Sequence, residues 1–331
     1  MPVQDVDITF VVQGPISRGE GTSTREATAS IRRFFPGSTI VLSTWENQDT
    51  TGVDADHTVI STDPGAIIWK SNGVSIANNV NRQILSTRAG FASVKTPYAA
   101  KMRSDGHVTG RGFISLEEAF PTRLSEGKVF ERRIVVSKEF TRSARSFIPM
   151  AYHPSDLFQF GLTTDLQHYW DAELLAGDSL AGFMLDEAPD VWYRMFDRFR
   201  FTTEQYLFLS ALRRSGHDRP LTHYAEIDER IIADSERMLF NNFIPCEPEV
   251  LGIDHQRFRG RAQKSLAEDC VGLREFLAWY LEVAVAANSR RMVGTAAPRM
   301  SLLLRGERVA REILKRSQLM RRLYAGQFLK R

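Results

Sequence analysis

The stretch ITFVVQGP, residues 8–15, indicates the fold more strongly than any other part of the sequence. An unbroken run of β-branched and apolar residues is followed by Gln13, Gly14 and Pro15, which form a turn signal. A run without polar alternation is typical of a strand that is buried on both faces of a parallel sheet. We therefore expect a central parallel strand whose carboxyl end leads directly into a polar loop.

Strand and helix patterns alternate along the first 105 residues. Strands separated by helices require crossover connections and therefore a parallel sheet. Ligands of such sheets bind beyond the carboxyl ends of the strands. Further strands are predicted at 39–44, 58–61 and 97–103, and helices at 24–35 and 76–87. The residues at the strand ends are Gln13, Gly14 and Pro15, then Trp45, then Asp63, then Ser104 and Asp105.

The rest of the chain divides into three predicted regions. We expect an α/β domain over residues 1–250, a helical extension over 251–298 and a basic amphipathic helix over 299–331. The last region has ten Lys or Arg and two Glu, a net charge of +8. Such a helix is typical of binding to an anionic membrane surface, or else it packs on the core with a solvated basic face. Within the α/β domain, further strands are predicted at 133–137 and 156–161, and helices at 165–175, 189–199 and 204–213.

Composition excludes several functions. The chain has 331 residues, with 43 Lys plus Arg against 40 Asp plus Glu, so its charge predicts no nucleic-acid binding. Two cysteines favour reduced thiols, and the longest apolar stretch, 276–287, is shorter than the ~20 residues of a membrane span. We expect a cytoplasmic protein.

Several catalytic and nucleotide-binding motifs are absent from the sequence. It lacks the GxxxxGK[ST], GxSxG and HExxH motifs, and no GxGxxG follows the first strand. Their absence argues against a P-loop kinase, a hydrolase, a zinc protease and a dinucleotide-binding protein.

The most informative local motif is KMRSD, residues 101–105. It ends a predicted strand with Lys101, Arg103 and Asp105. A carboxylate at that position holds a divalent cation against a diphosphate, and the cations neutralise phosphate charge. Taken alone, the motif is better explained by an ion pair at a strand end.

Seven stretches follow one another between about residues 7 and 245. They are ITFVVQGP (8–15), SIRRFFPGSTIVLSTWE (30–46), DPG (63–65), NRQILST (81–87), KMRSD (101–105), PSDLFQFG (154–161) and EQYL (204–207). Together they resemble the WavE lipopolysaccharide-synthesis family of bacterial surface-polysaccharide proteins. The resemblance implies a GT-A-like nucleotide-sugar-binding domain and a glycosyltransferase that acts on a surface glycan such as lipopolysaccharide or capsule.

The resemblance also implies a donor site. In GT-A enzymes an Asp-x-Asp motif with a metal closes the nucleotide-binding half, whereas here the matching residues are Arg103, Ser104 and Asp105. Either Asp105 holds Mg²⁺ or Mn²⁺ with the diphosphate, or Arg103 and Lys101 stabilise the leaving phosphate without a metal. Trp45 either stacks on a base or packs half-buried, and Arg82 either reaches a phosphate or pairs with an acid. The implied donor-binding residues are Gln13, Gly14, Pro15, Trp45, Asp63, Asn81, Arg82, Lys101, Arg103, Ser104 and Asp105.

An inverting transferase needs a carboxylate to deprotonate the acceptor hydroxyl. Glu204 and Asp156 are the two candidates, and His153 is expected to line the acceptor side. We expect Glu204 to be ionised, because it begins a predicted helix; a first-turn capping acid is the alternative. The expected partners are a nucleotide sugar, a glycan or lipid-linked glycan acceptor and, through 299–331, the anionic inner-membrane surface. A nucleotidyl- or phosphosugar-transferase and a non-catalytic scaffold of polysaccharide assembly remain alternatives.

Overall fold

The computed structural model describes residues 2–71, 74–191, 198–255 and 269–289. In this part of the chain, strands and helices form an α/β fold, which confirms the predicted class. The strands are β1 (Ile8–Gln13), β2 (Thr39–Trp45), β3 (His57–Ser61), β4 (Ile67–Ser71), β5 (Val74–Asn78), β6 (Tyr98–Arg103), β7 (His107–Val108), β8 (Ile134–Ser137), β9 (Phe158–Leu162), β10 (Phe243–Cys246) and β11 (Ile253–Asp254). The helices are α1 (Thr24–Phe34), α2 (Val80–Phe91), α3 (Gly112–Ala119), α4 (Thr163–Trp170), α5 (Gly177–Phe183), α6 (Thr203–Arg214), α7 (Glu229–Asn242), α8 (Pro248–Leu251) and α9 (Leu273–Ser289).

The central sheet has seven strands in the order β3-β2-β1-β6-β9-β8-β10. Its neighbours pair in parallel except at β9, which is antiparallel to both β6 and β8. The chain builds outward from β1 in one direction through β2 and β3, then returns to the other side of β1 with β6. The strand order therefore reverses between β1 and β6, and such a switch point is where open α/β sheets bind ligands.

The two faces of the sheet differ in polarity. One face is an aromatic core, in which the rings of Phe10 from β1 and Phe35 after α1 have centroids 5.0 Å apart. Alternation along each strand sends Gln13 to the opposite face, where its Nε2 donates to Ser86 Oγ on α2 at 2.7 Å. On that face α4 contributes Trp170, whose indole Nε1 donates to Gln159 Oε1 of β9 at 2.6 Å. The face beneath α2 and α4 therefore carries a buried polar layer.

The structure corrects two parts of the sequence-based assignment. The helix expected at 76–87 begins at Val80, and the segment before it forms β5, which pairs with β4 as an antiparallel hairpin. Exposure alternates along this strand, since Ser75 and Ala77 are exposed whereas Ile76 is half-buried and Asn78 is buried, which is a strand period. Helix α7 and strand β10 lie in a polar, mixed stretch for which no element was predicted.

The predicted region boundaries stay predictions. Beyond residue 250, β11 pairs with β7, and α9 packs against β10 and α7. The basic helix predicted at 299–331 lies outside the described residues, and so does most of the helix predicted at 189–199. Among the helices that the structure describes, none is both long enough and apolar enough to cross a bilayer.

Candidate active site

The carboxyl ends of β1 and β6 are bonded into one unit at the switch point. The Ser104 backbone N–H donates to the Gln13 carbonyl at 2.9 Å, and Ser104 Oγ donates to the Pro15 carbonyl at 2.6 Å. Gly14 between them has φ of +126°, and a Cβ there would lie 3.1 Å from Ser104 Oγ. This close approach in a left-handed conformation requires glycine. The structure thus brings together the predicted residues Gln13, Gly14, Pro15 and Ser104.

Arg103 and Asp105 form a bidentate ion pair at the same edge. Arg103 Nε and Nη2 each donate to one Asp105 carboxylate oxygen, both at 2.8 Å. Their side chains are 27% and 12% exposed, so the pair is partly shielded from water. Burial acts to lower the pKa of the Arg103 guanidinium, but the hydrogen bonds that it donates to the Asp105 carboxylate, together with the charge of that carboxylate, raise it.

The Asp105 carboxylate already binds a cation that the chain itself supplies. Both of its oxygens already accept hydrogen bonds from Arg103. Across the described ranges, no three His, Cys, Asp or Glu side chains cluster in a way that would hold a metal. Mg²⁺ at Asp105 would have to share the carboxylate with the guanidinium or displace it. Mg²⁺ or Mn²⁺ at Asp105 stays a prediction, and the arrangement favours the alternative in which Arg103 itself faces the phosphate.

The predicted donor-binding residues near the ends of β2 and β3 make contacts within the protein itself. Arg82 donates from Nε and Nη2 to the two oxygens of Asp63 at 2.7 and 2.6 Å, and these bonds lower the pKa of that carboxyl. Arg82 therefore makes the acid pair that was one of its two predicted roles. Trp45 is only 7% exposed and packs into the interior. Asn81 bonds both the N–H and the carbonyl of Leu175, so its amide holds the loop after α4.

Lys101 lies beneath the edge, fully buried on the polar face of the sheet. Its ammonium donates to the Asp156 carbonyl, lies 3.8 Å from Asp156 Oδ2 and stands 4.8 Å from the ring centre of Trp170. Burial lowers the pKa of Lys101 to about 8, while the charge of Asp156 opposes that shift. In this structure Lys101 contacts the Asp156 segment, and its role as a phosphate ligand stays a prediction.

Both candidate bases lie next to this lysine. Because β9 runs antiparallel to β6, its first residues lie at the edge where β6 ends, and Asp156 lies two residues before β9. Glu204 is in the first turn of α6, whose N-cap Thr202 accepts from the Gln205 N–H. The Glu204 side chain is 16% exposed and that of Asp156 is 6% exposed, so Glu204 is the more accessible.

His153 stands behind Glu204. Its Nε2 lies 3.5 Å from Glu204 Oε2, and its Nδ1 lies 2.9 Å from the Phe140 carbonyl. The imidazole is 4% exposed, so it contacts Glu204 from the interior. The predicted acceptor-lining role of His153 stays a prediction, whereas its contact with a candidate base is a structural fact.

The model of the WavE lipopolysaccharide synthesis family matches residues 8–313 of this sequence. The chain belongs to this family. Membership indicates a role in lipopolysaccharide biosynthesis. No curated protein is significantly similar to the sequence.

In this WavE-family chain, the expectation that Glu204 is ionised is wrong. Burial, followed by the negative charge of Asp156, raises the pKa of Glu204 to about 8. The α6 N-terminus and Thr202 act in the opposite direction, but they are outweighed. A carboxyl group with a pKa near the working pH is suited to accepting and returning protons.

Three residues of the candidate site were missed by sequence reasoning. Gln159 and Trp170 line the Lys101 side, and Arg142 lies on the Glu204 side with a side chain only 2% exposed. Gln159 carried a signal, because it is a polar residue in the middle of the apolar strand FQFGL. Arg142 and Trp170 carried none, since long-range packing brings them to the site.

Proposed function

We propose that this chain is a glycosyltransferase that moves a sugar from a nucleotide-sugar donor to a bacterial surface-glycan acceptor. The observation that carries the proposal is the convergence of two kinds of residue on one sheet edge. An arginine faces the switch point between β1 and β6, and a carboxyl pair, Asp156 and Glu204, lies beside it. The first suits a diphosphate and the second suits an acceptor hydroxyl.

The donor would lie across the carboxyl ends of β1 and β6. Gly14 allows a ligand to approach the backbone closely, because no side chain projects from that turn. Asp105 fixes the plane of the Arg103 guanidinium, and planar bidentate recognition is the reason arginine is used for phosphates. Arg103 would stabilise the charge that develops on the leaving diphosphate.

Glu204 is the base we favour. As the acceptor oxygen bonds to the anomeric carbon, its proton passes to the Glu204 carboxylate, and the bond from that carbon to the phosphate oxygen breaks. The electron pair leaves with the nucleoside diphosphate. Asp156 is the less suitable base because it is more buried and lies beside the Lys101 ammonium.

A thermal-shift screen tests the donor site. UDP, GDP, CMP and their common sugar conjugates are added with and without Mg²⁺ or Mn²⁺, and a ligand at 100 times its Kd adds about 2.7 kcal/mol of stability. We expect one nucleotide to raise the melting temperature and Arg103→Met to abolish the rise. Arg213→Met is the control, because Arg213 forms an exposed pair with Asp218 at the opposite end of α6. If no nucleotide changes the melting temperature, the donor site is wrong and a scaffold role is favoured.

Product analysis separates the proposal from its nearest enzymatic rival. A glycosyltransferase releases a nucleoside diphosphate or monophosphate from the donor, whereas a nucleotidyltransferase that builds the donor releases pyrophosphate. Detection of pyrophosphate would contradict the proposal.

We also propose that residues 299–331 hold the enzyme on an anionic membrane surface. The support is the sequence alone, whose net charge of +8 attracts anionic lipid at roughly 1 kcal/mol per near-surface charge. The full chain should sediment with vesicles that contain anionic phospholipid, and less so at high salt. A chain ending at residue 298 should remain in the supernatant, and equal sedimentation of the two would contradict this proposal.

A further inference from the structure

The backbone around His153 is unusually constrained. Three non-glycine residues in the described ranges have positive φ, namely Asn47, Phe140 and Tyr152. Two of them fix His153, because Phe140 supplies the carbonyl that its Nδ1 contacts and Tyr152 directly precedes it. Left-handed non-glycine residues cost free energy and cluster where a side chain has to be aimed. The imidazole is aimed at Glu204.

The hydrogen bonding of His153 identifies its tautomer. A carbonyl oxygen only accepts, so Nδ1 must carry the hydrogen that is donated to Phe140 at 2.9 Å. Burial, aided by the nearby Arg142, lowers the pKa of His153 to about 3, so the ring is neutral. The Nε2 atom that faces Glu204 is therefore an acceptor. A carboxylate, which only accepts as well, has no hydrogen to share with it, whereas a protonated carboxyl has one.

We propose that the neutral Nε2 of His153 holds the Glu204 carboxyl in its protonated form, so that this one proton must leave before Glu204 can act as a base. His153 is then a positioning residue for Glu204. The inference rests on the proposed function only in naming Glu204 the base; the proton we propose lies between Nε2 and Oε2, which are 3.5 Å apart, and it is tested without substrate.

The charged and titratable groups around Glu204 also favour its protonated, neutral form. Asp156, before β9, disfavours a second negative charge, and the hydroxyl of Tyr169 on α4 is fully buried nearby. Arg142 and Lys101 act in the opposite direction, but the Lys101 ammonium is 3.8 Å from Asp156 Oδ2 and is largely offset by it. Burial of Glu204 then decides the balance in favour of the neutral acid.

The proton has a defined path through the reaction. Glu204 loses it to solvent as the pH rises, and the resulting carboxylate accepts the proton of the acceptor hydroxyl when the glycosidic bond forms. After the nucleoside diphosphate leaves, Glu204 releases that proton to solvent. The enzyme should therefore show an activity that increases with pH through an ionisation above neutrality.

Difference infrared spectroscopy of the full-length protein tests the shared proton without any substrate. The carbonyl stretch of a protonated carboxylic acid is separate from the carboxylate bands, and subtraction of the Glu204→Gln spectrum isolates it. We expect this band at neutral pH and its loss above neutrality. Absence of the band at neutral pH in the unmodified protein would overturn the proposal, whatever the variants do.

The variant His153→Asn tests whether His153 stabilises the protonated form of Glu204 that gives the carbonyl band. Asparagine keeps a donor near the position of Nδ1 for the Phe140 carbonyl but has no atom at the position of Nε2. Loss of the acceptor should lower the apparent pKa of Glu204 by about one unit, since one hydrogen bond to the acid form is worth about tenfold in proton affinity. His168→Asn is the matched control, because His168 bonds Ser215 on the far side of α4. An unchanged midpoint in folded His153→Asn would overturn the positioning role.

The two proposals fail separately. If the infrared band behaves as expected but no donor is turned over, the shared proton stands and the transferase function fails. If sugar transfer is observed and its pH profile is identical in His153→Asn, the function stands and the inference fails.

Discussion

Arg103 and Asp105 are separated by one residue at the end of β6, and the guanidinium of the first binds both oxygens of the second. Asp105 thus orients the guanidinium that we propose as the phosphate-binding group. The positive charge at this strand end replaces the negative charge that an Asp-x-Asp motif would supply. This relationship predicts how donor binding depends on the two residues and on metal.

Arg103→Met should weaken nucleotide binding at least tenfold, because it removes a charge-assisted contact to phosphate. Asp105→Asn should weaken it much less, since the amide still orients the guanidinium. Isothermal titration with the nucleotide identified by thermal shift measures both, and EDTA should leave the Kd unchanged. If EDTA and Asp105→Asn each abolish binding, Asp105 is a metal ligand.

Glu204→Gln should lower kcat by about 10²- to 10⁴-fold, the contribution of a positioned general base, with little change in the donor KM. Steady-state kinetics with a glycan acceptor measures this effect. Glu173→Gln is the control, because that side chain is exposed and lies outside the site. If Glu204→Gln keeps its activity while folded Asp156→Asn loses it, Asp156 is the base.

Asp156→Asn should destabilise the fold by about 3 kcal/mol, because it leaves the buried Lys101 ammonium without its carboxylate. Adding Lys101→Met should recover part of that loss, since the uncompensated charge is then removed. Urea unfolding of the four proteins in this cycle gives the coupling free energy. Simple additivity of the two single losses would show that the pair is not coupled.

The stability of the fold should depend on pH through Glu204. Its folded pKa is raised above the unfolded value of about 4.3, so its contribution to stability is complete below that value and is lost as the pH rises toward about 8. The unmodified protein should therefore lose more free energy of unfolding than Glu204→Gln between about pH 5 and pH 8. Glu173→Gln should follow the unmodified protein. Parallel pH curves for Glu204→Gln and the unmodified protein would contradict the raised pKa.

Gly90→Ala should destabilise the fold by about 1–3 kcal/mol, because its Cβ would lie 2.5 Å from Val11 Cγ1 and 3.1 Å from Ser43 Cβ. The helix α2 would then have to move away from the sheet edge that carries Gln13. Gly182→Ala in α5 is the matched control, since no atom lies within 4 Å of the position of its Cβ. Chemical unfolding of the two variants checks the difference, and equal stabilities would show that α2 is not tightly seated.

The sequence predicted the parts of the fold that depend on local pattern. The apolar runs of β1, β2 and β6 each lie within a few residues, so the chain itself signals them. The reversed direction of β9 has no local signal, because an apolar strand has the same composition in either direction. Pairing with β6 and β8 decides its direction, and those contacts are distant along the chain.

The candidate site was likewise predictable where it depends on strand ends and not where it depends on long-range packing. The residues that follow β1 and β6 were identified because carboxyl ends of parallel strands meet at one edge. The raised pKa of Glu204 was not predictable, since it depends on burial and on Asp156, which precedes a different strand. Likewise, Lys101 was assigned to the edge, yet its side chain lies beneath Trp170 because α4 packs over that face.

The insertion of β9 between β6 and β8 sets the order in which a growing chain can complete this protein. The strands β1, β2, β3 and β6 are neighbours made from the first third of the sequence, so their edge can assemble as soon as they leave the ribosome. Strand β8 is synthesised next, but its sheet neighbours are β9 and β10, both of which come later. A nascent chain would thus be able to form the edge that carries Gln13 and Arg103 before Asp156 and Glu204 have been synthesised.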